Sequence, residues 1–196
     1  MNPVRREEIL PVAEFVADRQ RHLSQVLSAQ AVRRVALGPN MTLLFENRTT
    51  VRWQVHEMCR VEGLHGDAVL HELDTYNALL PAPDELAATL LVEYPEADQR
   101  DRMVRLLVGL HQHLWIEAAG QRWAARFDGE QFNEQRVSAV QFVRFPLDAQ
   151  ARQALAAMDQ PVRLLVDHPH YSHAVELTRS TRGALLDDLA EAVSPS

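Results

Sequence analysis

The densest run of chemically versatile side chains is Asp167-His168-Pro169-His170-Tyr171-Ser172-His173, directly after an apolar stretch. Three imidazoles and a carboxylate within seven residues, on a proline-stiffened loop, are donors a divalent metal accepts. Asp167 is also placed to orient the neutral imidazole of His168. The structural alternative is that Asp167 and His168 close the preceding strand while His170 and His173 sit in water. Alternation along an extended segment puts His168 and His170 on one face and His173 on the other.

A second candidate is Phe45-Glu46-Asn47-Arg48-Thr49-Thr50, where a strand runs straight into a helix start whose backbone N–H groups are free. Glu57 follows about two turns into that helix, and Tyr76-Asn77 closes the next one. A pocket of carboxylate, amide and histidine at this junction is one reading. Asn47 as a plain N-cap and Glu46 paired with an arginine is the other.

Other patterns are weaker. His56-Glu57 and His71-Glu72 both begin like a zincin helix but lack the second histidine at i+4. Glu62-Gly63-Leu64-His65 has Glu-x-x-His spacing, yet it occurs once and carries a glycine at a helix end. His111-Gln112-His113 is an isolated i, i+2 pair at a strand start. Cys59 lies on an apolar helix face, which favours packing over reactivity. Trp53, Trp115 and Trp123 form no stacking series.

Composition narrows the classes. All 20 basic side chains are arginine, so lysine Schiff-base chemistry and a P-loop lysine are absent. A net charge of -7 argues against an electrostatic grip on nucleic acid. There is no GxGxxG, GxSxG or CxxC. No apolar run is as long as a membrane-spanning helix requires. A charged start and a single cysteine lead to the expectation of a cytoplasmic protein.

Periodicity supplies the elements that must position these residues. The spacing predicts helices over 11–31, 50–62, 67–78, 96–108, 148–158 and 181–193, the last with Leu185, Leu186, Leu189 and Val193 inward. Strands are expected over 33–37 and 41–46 across Gly38-Pro39-Asn40, and over 88–93, 113–118, 121–127, 138–145, 162–166 and 174–177. On helix 96–108, Glu96/Arg100, Asp98/Arg102 and Asp101/Arg105 have ion-pair spacing. Strands come in groups without strict βαβ alternation, so the expected class is α+β, with a mainly antiparallel sheet and flanking helices. One domain over 1–196 is expected: a helical arm at 1–32, an α+β core at 33–193 and a frayed tail at 194–196.

Four runs resemble a bacterial family, domain-of-unknown-function family 3501. They are RRVALGPNMTLLFENRTTVRWQVHEMCRVEG (33–63), ELDTYNALLP (72–81), ATLLVEYP (88–95) and VDHPHY (166–171). The residues matching its signature are Glu46, Asn47, Arg48, Thr50, Gln54, Glu57, Met58, Glu62, Tyr76, Asn77, Asp167, His168, Pro169 and Tyr171. The resemblance implies no established activity. It implies gene neighbours of rubrerythrin-like and iron–sulfur oxidoreductase type, hence redox or peroxide physiology. His65, His71, His170 and His173 fall outside the signature, which favours a metal set of Glu46, Glu57, Glu62 and His168.

The chain supports two main functional expectations, and a third, metal-dependent hydrolysis, has only the histidine run His168 to His173 behind it. In the first, Glu46, Glu57 and His168 are ligands or acid/base groups of an iron or manganese site. Asn47, Arg48, Tyr76, Asn77, Asp167 and Tyr171 then orient a small anionic or oxygen-derived ligand. In the second, the protein is a non-catalytic adaptor or accessory that docks a rubrerythrin-like or iron–sulfur oxidoreductase. A homo-oligomer is compatible with either, and neither membrane nor nucleic acid is an expected partner.

Overall fold

The computed structural model describes residues 1–128 and 135–193, so the tail expected at 194–196 and the side chain of Val193 lie outside the described residues. Two antiparallel sheets form the centre. The first has the order β1(Arg34–Ala36), β2(Met41–Phe45), β3(Glu85–Val92), β7(Val140–Pro146), β6(Arg126–Phe127). The second has the order β5(Gln121–Ala124), β4(Leu114–Ala118), β8(Val162–His168), β9(Tyr171–Glu176). With seven α-helices among the described residues, the class is α+β, as the grouping of strands implies.

Register decides what faces where. Val35, Leu43, Leu90 and Gln141 are successive cross-strand neighbours on the inner face of the first sheet. Arg34, Leu44, Thr89 and Phe142 form a row on the outer face, and Ala36, Thr42, Leu91 and Val140 form the next. The inner face packs on Leu114, Ile116, Val162, Leu164 and Val166 of the second sheet. Leu185 and Leu189 of α7(Arg179–Val193) join this core. The predicted strand 121–127 is in fact two: it breaks at Ala125, whose N–H donates to Leu114 O, and changes sheet there. A strand that passes between sheets turns the corner of a sandwich.

A helical layer has its own core. α3(Arg48–Glu62) buries Val51, Val55 and Cys59 against Val69 and Leu73 of α4(Ala68–Asn77), with Val4, Ile9 and Leu80. The helix predicted over 11–31 is divided at Asp18 into α1(Val12–Ala17) and α2(Arg19–Ala31). The break lets Phe15 and Val26 bury while Val16 and Leu27 stay exposed, so part of the apolar pattern over 11–31 does not reach the core.

Two more expectations change. Of the three ion pairs read on α5(Ala97–Leu106), Asp101–Arg105 forms at 3.0 Å, while Arg100 turns to Tyr94 O at 3.1 Å. The supposed histidine loop is a tight hairpin: Asp167 and His168 end β8, Pro169 and His170 make the turn, and Tyr171 opens β9. Tyr171 donates to Leu37 O at 2.8 Å and accepts from Asn40 N–H at 3.0 Å, which ties the hairpin to the β1–β2 turn. Gly38 permits that approach, because its backbone is left-handed and a side chain has no room there. A Cβ on Gly38 would lie 2.5 Å from the His173 ring.

Candidate functional site

β2 delivers Glu46 to the start of α3, and Asn47 begins the helix by accepting Thr49 and Thr50 N–H at 3.0 and 3.1 Å. Glu46 is buried. Its carboxylate accepts from Thr50 Oγ1, from Thr89 Oγ1 at 2.6 Å and from Gln54 Nε2 at 3.3 Å. Its three donors are neutral, so burial pushes its carboxyl above the usual range despite those hydrogen bonds. The carboxylate can hold a proton or accept hydrogen bonds, and three donors already engage it in the second role.

The same junction carries an ion pair. Arg33 donates to Asp188 through Nε at 2.7 Å and Nη2 at 2.9 Å, both groups being buried. Asn47 Nδ2 donates to the same carboxylate at 3.2 Å. The end of α2, the start of α3 and α7 are thus joined through one acid. Neither Arg33 nor Asp188 stands out in the sequence; an aspartate within the apolar helix 181–193 was the available signal.

Glu57 lies about two turns farther along α3 than Thr50. Arg19 clamps it at 2.7 and 3.0 Å and Arg60 reaches it at 2.8 Å, with Arg19 also lying 5.3 Å from the Trp53 ring centroid. The Arg19 hydrogen bonds, reinforced by Arg60, hold the Glu57 carboxyl down at about 2. Glu62 is exposed at the far end of the helix, three turns beyond Thr50. Arg48 binds Asn2 O, Pro3 O and Glu8, and Asn77 brackets Val4 through N–H and C=O at 2.8 and 3.0 Å. Tyr76 is half-buried against the helical core.

His168 faces inward at the end of β8. Its Nε2–H donates to Val108 O at 3.1 Å and its Nδ1 accepts His170 N–H at 3.2 Å. Both nitrogens are therefore used, and the ring is neutral. Burial lowers its tendency to protonate, and the nearby His113 and His170 add to this. Asp167 faces outward and accepts from His113 at 3.0 Å, Trp115 at 3.1 Å and Arg122 at 3.1 Å. Burial alone would raise its carboxyl, but these three partners together hold it below the usual value. Asp167 therefore orients His113, across the sheet, in place of the adjacent His168 expected from sequence.

The four expected metal ligands are not brought together. Glu46 lies at the α3 N-terminus, Glu57 between arginines, Glu62 at the opposite helix end and His168 on the second sheet. Donors must converge within about 2–2.5 Å of one ion. Among the described residues no three His, Cys, Asp or Glu side chains are grouped to hold one. This donor set does not fit iron or manganese.

The family model described as a protein of unknown function (DUF3501) matches residues 3–189. The chain belongs to the DUF3501 family. The same fold occurs in a crystal structure of a protein of unknown function from Burkholderia pseudomallei K96243, at TM-score 0.87 and 30% identity. That match covers 96% of this chain and 100% of the other. No curated protein matches the chain.

In this DUF3501 protein the signature residues are largely joints between elements. Asn47, Arg48, Asn77 and Tyr171 each bind backbone groups of another segment or of a helix start. No helix among the described residues is long and apolar enough to cross a membrane.

Proposed function

We propose that the protein is a non-catalytic accessory that docks an oxidoreductase of the rubrerythrin-like or iron–sulfur kind. One observation carries this reading. Apart from the exposed Glu62, the candidate chemical groups pack or bond within the fold, whereas the outer face of the first sheet leaves Val140 45% and Phe142 39% exposed beside Leu91. Apolar side chains adjoining on a sheet face are unlike singly scattered ones and mark interaction surfaces. Arg100 on α5 is exposed at the margin of this stripe, and Arg34 is exposed on the edge strand β1 of the same face. The complementary partner surface is therefore apolar at its centre and acidic at its rim. The oxidoreductase class follows from the gene-neighbour resemblance.

The test uses the purified rubrerythrin-like protein encoded beside the gene, titrated calorimetrically with the full chain. The expected result is saturable binding that Val140→Asp and Arg34→Glu each weaken at least about tenfold, roughly 1.4 kcal/mol. Absence of binding, or equal binding by both variants, overturns the proposal.

A further inference from the structure

Beyond docking through the first sheet, we propose that the outer face of the second sheet joins two copies of this chain in a two-fold dimer. The inner face of that sheet is spent on the core against the first sheet. The opposite face runs across the strand order β5, β4, β8, β9 in cross-strand rows. The central row is apolar: Ala124, Trp115, Leu165 and Ala174. On one side of it lies an alternating charged row, Arg122, Glu117, Arg163 and Glu176. On the other side His113 and Asp167 stand next to each other, joined at 3.0 Å. None of these residues is buried, and the side chains of Arg163 and Arg122 are 50% and 46% exposed.

The register makes this face complementary to itself. A two-fold axis parallel to the strands, between β4 and β8, sets β4 over β8 of the second copy and β5 over its β9. Glu117 then meets Arg163 of the second copy, Arg122 meets Glu176, and His113 meets Asp167. Trp115 lies over Leu165, with Ala124 over Ala174 leaving room at the edges. Each charge faces its opposite, and each contact occurs twice, which is what steers one surface to its own copy. Within one chain Arg122 binds Glu117 at 2.9 Å and Asp167 at 3.1 Å, whereas Glu176 forms no ion pair among the described residues. The second copy supplies that missing partner. Trp115 already donates its indole N–H to Asp167 at 3.1 Å, so covering its ring costs no hydrogen bond. An aromatic centre with a charged rim is the usual anatomy of a protein interface. Two sheets meeting with their strands nearly aligned pack as in a sandwich. The strands have four to seven residues, so the face measures roughly 19 by 17 Å. That is at the low end for a specific interface, and the dimer is therefore reversible and micromolar.

The experiment is sedimentation velocity of the full chain from about 1 to 300 μM, a range that brackets a micromolar dimer. The parent is expected in reversible monomer–dimer exchange. Arg163→Glu opposes two acids across the axis, and Glu117→Arg opposes two arginines, so each variant alone should dimerise at least about tenfold more weakly. An equimolar mixture of the two variants restores opposite charges at both contacts and should dimerise as the parent does. Recovery in the mixture also shows that both variants fold. Val140→Asp, on the first sheet, should leave self-association unchanged, so this assignment and the docking reading fail separately. A parent that stays monomeric throughout, single variants that dimerise like it, a mixture without recovery, or loss of the dimer in Val140→Asp overturns the assignment.

Discussion

Replacing Gln141 by methionine is expected to stabilise the protein, although nature has placed an amide there. Gln141 is wholly inaccessible on the inner face of β7, beside Leu90 and within the core between the sheets. Neither its Nε2 nor its Oε1 has a hydrogen-bond partner among the described residues. Each buried unpaired polar group costs about 1–3 kcal/mol in lost hydration. Methionine has nearly the same volume and the same unbranched flexibility, so the exchange removes that cost without opening a cavity or forcing overpacking. After allowing for imperfect repacking, a net gain of about 2 kcal/mol is the expectation. For a chain of this size that raises Tm by roughly 4–8 °C. Urea unfolding followed by far-UV circular dichroism should show a higher midpoint at unchanged slope, which assigns the change to stability. Gln141→Ala, which leaves a void, should be about 2–4 kcal/mol less stable than the methionine variant. A methionine variant no more stable than the parent would refute the reasoning, because the amide must then be satisfied in solution.

Three other residues give measurable outcomes. Burial raises the Glu46 carboxyl, so its favourable contribution is present below about pH 4.5, the unfolded value, and is lost as pH rises through the folded value. Glu46→Gln should therefore gain on the parent in Tm as pH increases from 4 to 8, and a gap independent of pH would contradict the assignment. Glu57, held at about 2 by Arg19 and Arg60, has the opposite sign: its contribution is present above about pH 4.5 and disappears as pH falls toward 2. Glu57→Gln should cost about 1–2 kcal/mol at pH 7 and nothing near pH 2, as read by denaturant midpoints. Arg182, almost wholly buried, donates to the carbonyls of Ala154, Leu155, Ala157 and Gln160 and so closes the C-terminal end of α6(Ala149–Ala156). Lysine cannot reach several carbonyls with a planar fork, so Arg182→Lys should lose about 2–4 kcal/mol; a loss under about 1 kcal/mol would show the fork to be dispensable.

Much of the fold was legible because local signals and the final structure agree. Asn47 caps α3 and Gly63 ends it in a left-handed conformation, Asp148 caps α6, and Gly38-Pro39-Asn40 turns β1 into β2. These are short-range events, decided by backbone groups a few residues apart. The acidic, lysine-free composition likewise excluded whole classes of chemistry by itself.

The site was not legible to the same degree, because a side chain's role depends on partners far away in sequence. Glu57 reads as a free helical carboxylate until Arg19, 38 residues earlier, is folded against it. His168 reads as a metal ligand until Val108 O and His170 N–H occupy its two nitrogens. Asp188 and Arg33, 155 residues apart, had no sequence signal that paired them. Sequence alone determined most element types, the capped helix ends and the residue chemistry available. Tertiary structure decided which of those groups were consumed as joints and which face was left open, since hydrogen-bond partners, burial and cavities exist only once distant segments meet.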